Sequence, residues 1–168
     1  MGSGTRFRGC AAALAACLLM ASGNALSAAT STTTMTVQMT ITATCTVNSA
    51  ATLNFGTVGV LASNTDQTST IQVTCTNTTP YNIGLNAGTG TGATVAVRKM
   101  TSGANTVNYS LYSNSGRTTV WGNTIGTDTQ AATGNGSAQS YTVYGRVPAQ
   151  ATPAPGTYTD TITVTLTY

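Results

Sequence analysis

The sequence contains no histidine and no glutamate, and its acids are Asp66, Asp128 and Asp160 alone. Charged residues make up 5% of the 168, against about a quarter in a typical soluble domain. General acid–base chemistry falls mainly to His, Glu and Asp, and metal centres need clusters of His, Cys or carboxylate. Three aspartates far apart in sequence supply neither. The chain is therefore read as a non-enzyme, with no catalytic, cofactor-binding or metal-ligating residues and no cofactor. Basic residues are also sparse: Arg6, Arg8, Arg98, Lys99, Arg117 and Arg146. The first two account for most of the net charge of +3, so no basic face for nucleic acid is expected. Long apolar runs are missing too. The longest, residues 11–21, falls short of the roughly 20 apolar residues that span a membrane.

What is present is threonine, 38 residues of it, with Ser, Asn, Gly and Ala. Thr is β-branched and suits strands. Low charge with 40% apolar residues fits a compact β-domain better than disorder, which combines high charge with low hydrophobicity.

Arg6 and Arg8 before the apolar run have the form of a secretory leader. Two small-residue sites could end it, after Ala29 (Ser27-Ala28-Ala29) or after Ala25 (Gly23-Asn24-Ala25). The first is preferred, giving a leader over residues 1–29 and a mature start at Thr30. Leu14-Ala15-Ala16-Cys17 looks like a lipobox, but Cys17 lies in the middle of the apolar run rather than at its end. Removal of the leader discards Cys10 and Cys17. Cys45 and Cys75 remain, and two cysteines in an exported chain usually form one disulfide. Two buried free thiols are the alternative. Two ligands without His or Glu cannot complete a metal tetrahedron.

After the leader there is no repeat, no charge block and no interdomain linker. Short strands are predicted at 35–41, 45–47, 53–58, 70–76, 81–86, 94–100, 107–112, 140–147 and 157–168, separated by turn residues. Many short strands with regular turns predict an all-β sandwich of immunoglobulin type. Two runs alternate strictly between apolar and polar residues. The first carries Met35, Val37, Met39 and Ile41; the second carries Ile162, Val164, Leu166 and Tyr168. Period-two alternation means one buried and one wet face. The second run ends with the sequence, where an immunoglobulin sandwich normally continues to a last strand. The first precedes Cys45 without an evident sheet position. A spare strand at one end and a missing strand at the other fit β-strand addition between copies. An ordinary first strand of a complete domain fits the same pattern.

The chain resembles the spore coat protein U domain, as found in subunits of archaic, Csu-type chaperone–usher pili. The resemblance rests on the alternating run ending four residues before Cys45, on Leu53-Asn54-Phe55-Gly56, and on Val73-Thr74-Cys75. It extends through Tyr109-Ser110-Leu111-Tyr112, Arg117-Thr118-Thr119-Val120-Trp121-Gly122 and Tyr144-Gly145-Arg146-Val147-Pro148. Its most specific element is Gly156-Thr157-Tyr158-Thr159-Asp160 followed by the alternating strand. It implies an incomplete immunoglobulin-like sandwich over residues 44–168 that lacks its last strand and is completed by donor-strand exchange. Residues 30–43 would form the donor extension, with Met35, Val37, Met39 and Ile41 as donor residues. Ile162, Val164, Leu166 and Tyr168 would mark the strand beside the acceptor groove. The Cys45–Cys75 bridge would tie the first strand of the domain to the second. The implied partners are identical subunits in a homopolymer, a periplasmic chaperone, an outer-membrane usher and a two-domain tip adhesin. The implied destination, through the periplasm, is the cell surface.

This leads to a shaft subunit of an adhesive pilus supporting attachment and biofilm formation. The alternative is a spore-coat or matrix protein with the same domain that forms no pili. A tip adhesin would need a second, receptor-binding domain, for which the mature length leaves no room. Among the remaining residues, Arg117, Trp121 and Arg146 are read as structural, Trp being usually buried. Asp160 is read as fixing the turn into the last strand by local backbone bonds, and Arg98-Lys99 as a solvated surface pair.

Overall fold

The computed structural model describes residues 27–168. Most of the leader reading, including Cys10, Cys17 and the Ala25 site, lies outside them. The chain divides into two compact units, Met1–Met39 and Thr40–Tyr168. In the first, residues 27–39 are exposed and form no strand.

The second unit is all β, with eight strands and, among the described residues, no helix. They are β1 (Cys45–Ala50), β2 (Thr65–Cys75), β3 (Pro80–Leu85), β4 (Arg98–Ser102), β5 (Asn105–Tyr112), β6 (Gln130–Thr133), β7 (Ala138–Val147) and β8 (Val164–Thr167). Two sheets face each other, in the orders β1-β2-β7-β5-β4 and β6-β3-β8. Every pairing is antiparallel, and the architecture is of the immunoglobulin-like kind.

Alternation builds the core. Ile71, Val73 and Cys75 of β2, Val143 and Val147 of β7, and Val107, Tyr109 and Leu111 of β5 point inward from the larger sheet, all buried. Tyr81, Ile83 and Leu85 of β3 meet them from the smaller one. The intervening Thr, Ser and Asn side chains take the wet face, as period two requires. Trp121 is buried between the sheets and donates its indole N–H to the Ile83 carbonyl at 2.8 Å.

Cys45 and Cys75 are disulfide-bonded, tying β1 to β2, where the same two residues are register partners. The bond spans 30 residues, a loop closure contributing roughly 3–4 kcal/mol in the chain-entropy model. Cys45→Ser should lower the denaturation midpoint of the oxidised protein by a corresponding amount; an unchanged midpoint would refute that contribution.

Several expectations are corrected. The run at 35–41 forms no strand, and neither does 53–58. The predicted strand at 157–168 narrows to β8, and that at 94–100 starts only at Arg98. The short β6, Gln-Ala-Ala-Thr, was unforeseen, since four residues centred on two alanines of weak β preference leave no pattern. Arg98 is not on the surface: it is fully buried.

Candidate functional site: an open apolar groove

Five strands face three. At about 4.8 Å per strand, the smaller sheet falls two strand widths short of covering the larger. The uncovered part of the core is an open groove of about 1080 Å³. Its floor is the inner face of β2, β7 and β5, including Ile71, Val143, Tyr109 and Leu111. One wall is the end of β1 at Ala50 with the strandless segment 51–59; the other runs from Thr152 to Ile162 and on to Val164 of β8. β8 pairs with β3 alone, so its other edge carries unpaired backbone groups, the usual template for an added strand.

Each wall has an identifiable support. Gly145 of β7 has no side chain where Leu53 and Phe55 lie across it; a Cβ there would meet Leu53 Cδ1 at 2.8 Å and Phe55 Cζ at 3.0 Å. On the other wall, Thr101 and Thr159 exchange both backbone bonds, at 2.8 and 3.1 Å. Thr163 donates its N–H to Asn86 Oδ1 at 2.9 Å, and the Asn86 N–H bonds back to the Thr163 carbonyl at 3.2 Å. Asp160 is the one charged residue of the lining. Its Oδ1 accepts from Thr89 N–H at 2.7 Å, Thr89 Oγ1 at 2.9 Å and Thr161 N–H at 2.7 Å. Its Oδ2 accepts from the Tyr109 hydroxyl at 2.7 Å. Asp160 therefore acts mainly across the fold rather than by the local turn expected of it. Burial, reinforced by the bond to Asp160, pushes the Tyr109 hydroxyl pKa far above its ordinary value.

Ile162 and Val164 line the groove; Leu166 is half-buried against the core without lining it, and Tyr168 is 60% exposed. Met35, Val37 and Met39 are each 84% exposed and Ile41 76%. Four large apolar side chains so placed in one run form the sort of surface that marks an interaction site. Wall 50–59 was missed as a site. Its Leu53-Asn54-Phe55 alternation reads as a strand, and nothing local reveals that the segment lacks an adjacent partner.

The described arginines, Arg98, Arg117 and Arg146, lie outside the groove and are structural. Arg98 donates Nε to the Asn86 carbonyl (2.8 Å), Nη1 to Val95 (2.8 Å), and Nη2 to Leu85 (3.0 Å) and Trp121 (2.7 Å). Burial lowers its pKa, with Tyr109, Asp160 and Asp128 opposing the shift. On the outer face of β2 and β7, Arg146 makes a two-pronged pair with Asp66, both bonds 2.7 Å, while Arg117 reaches the same carboxylate at 3.3 Å. The Arg146 bond holds Asp66 below the usual carboxylate range, against a smaller opposing effect of burial. Among the described residues, no three His, Cys, Asp or Glu side chains gather as metal ligands.

The described sandwich thus carries an open apolar groove beside an unpaired strand edge. The Spore Coat Protein U domain model matches residues 31–165, and the chain belongs to that family. It is 35% identical over 139 residues to Protein U of Myxococcus xanthus, an alignment covering 74% of this chain and 77% of that protein. Among solved structures it resembles a chain of the CsuC-CsuE chaperone–tip adhesion subunit pre-assembly complex from the archaic chaperone-usher Csu pili of Acinetobacter baumannii. There the identity is 26%, the TM-score 0.56, and the match covers 77% of this chain but 40% of that one. Family and fold are those of structural subunits.

Proposed function

We propose that the protein is a structural shaft subunit of a chaperone–usher pilus, polymerising by donor-strand complementation. Residues about 33–42 of one copy add to the free edge of β8 in the next. Met35, Val37, Met39 and Ile41 enter the groove beside Ile162 and Val164, with Leu166 and Tyr168 continuing the acceptor strand. The single observation that carries this reading is the pairing of an open apolar groove with an exposed alternating run in the same chain. Burying each apolar side chain is worth roughly 1.5–3 kcal/mol, so four contribute about 6–12 kcal/mol before the cost of ordering the segment.

In this reading the leader over 1–29 is removed on export, 30–43 is the donor extension and 44–168 the sandwich. Before assembly a periplasmic chaperone occupies the groove, and an outer-membrane usher exchanges it for the next subunit. The filament, ending in a two-domain tip adhesin, stands on the cell surface and supports attachment and biofilm formation. The relationship to the Csu complex supports the chaperone step. The family description and Protein U favour a second reading, a coat or matrix protein that uses the domain without forming pili.

Cysteines at Val37 and Ile162 test the joint. In surface filaments of the double variant, oxidation should give a ladder of cross-linked multimers, and neither single variant should do so. Cross-linked monomers alone would contradict the proposal.

A further inference from the structure

Tyr109 touches both walls of the groove. From the floor on β5, its ring meets the Phe55 ring of one wall edge to face, with centroids 6.1 Å apart. Its hydroxyl donates to Asp160 of the other wall. Asp160 in turn sits in a niche shaped for a carboxylate. Gly88 adopts a φ of +82°, and a Cβ there would overlap the Asp160 carboxyl group. That bare glycine lets the carboxylate reach the N–H and hydroxyl of Thr89. Two independent features, an aromatic contact and a four-donor carboxylate, thus converge on one tyrosine spanning the groove.

The geometry points to Tyr109 and Asp160 as a strut that sets the width of the groove and so governs how tightly it holds an incoming strand. They are positioning residues: Asp160 places the wall and Tyr109 relates it to its opposite number. The alternation of the donor run then meets walls already at the right separation, so less ordering is needed at the moment of insertion. Without the hydroxyl–carboxylate bond the 152–162 wall keeps its backbone bonds to Thr101 but loses its side-chain tie to the floor, and the groove holds its strand less firmly. This inference rests on the donor-strand reading above.

The test uses filaments of the full chain carrying Tyr109→Phe or Asp160→Asn. Tyr109→Phe keeps the ring and its Phe55 contact and removes only the hydroxyl, so it carries the test if Asp160→Asn is not exported. Subunit release in a fixed sub-denaturing concentration of guanidinium is followed by gel filtration. Fluorescence of Trp121, the single tryptophan, reports the core. A hydrogen bond to a charged group is strong enough that release should quicken about tenfold, with Trp121 emission of the intact filament unchanged. Release at the wild-type rate in both variants would overturn the strut. So would core unfolding that precedes release, since it would mark a merely structural role. A Val37→Asp control separates the two ideas: if it assembles normally, the donor-strand reading itself fails.

Discussion

Deleting residues 33–42 should abolish filaments while leaving a chaperone-bound subunit that can cap a chain but not extend it. The deleted segment carries the four exposed side chains whose burial would make the joint, and nothing else in the described chain offers an alternating, unpaired run of that length. A single charge should act in the same direction. Val37→Asp or Ile41→Asp would force a carboxylate into a groove whose one existing carboxylate already takes four hydrogen bonds. An unpaired polar group transferred to such a site costs several kcal/mol, comparable with the contribution of two of the four apolar side chains. Fusing the same segment after Tyr168 through a short Gly/Asn turn should give a stable monomer that no longer polymerises. Electron microscopy of the cell surface and gel filtration of the periplasmic protein read these outcomes. Filaments from the truncated chain, folded without chaperone, would rule the donor-strand reading out.

The second large effect is expected inside the core. Arg98 is fully buried and satisfies four backbone carbonyls, of Leu85, Asn86, Val95 and Trp121. Arg98→Met fills much the same space, but the four carbonyls stay behind without donors. At about 1–3 kcal/mol for each unsatisfied buried group, the two fully buried carbonyls, of Leu85 and Trp121, account for about 2–6 kcal/mol, a large share of a domain's stability. The variant should fail to accumulate in folded form, seen as loss of export and of buried-tryptophan emission. Arg98→Lys keeps a charge but has one nitrogen in place of a fork, so it cannot serve all four carbonyls and should be intermediate. A well-folded Arg98→Met with a near wild-type denaturation midpoint would show that the carbonyls find other partners, and would remove Arg98 from the framework.

Arg98 also illustrates the boundary between what can be read from residues and what cannot. Beside Lys99 it looks like any solvated pair, because local sequence holds no record of carbonyls drawn from positions 85, 86, 95 and 121. Asp160 is similar. Its motif announces a turn, but its partners at Thr89 and Tyr109 lie 71 and 51 residues away. The wall at 53–58 alternates like a strand and forms none, since a strand is defined by a neighbour as much as by its own side chains.

The all-β class, the paucity of reactive groups, the two alternating runs and the candidacy of Cys45 and Cys75 for a bridge were all legible in the sequence. Each depends on composition or on a period of two, and such signals survive without knowledge of the fold. The tertiary structure alone decided that five strands would face three. That mismatch leaves a groove along the free edge of β8, places Tyr109 across it and buries Arg98 at the end of β3. Those features arise from pairings between segments tens of residues apart. The hydrogen-bond partner of a buried group is chosen by the packing of the whole sandwich, and so it cannot be read from any one stretch of chain.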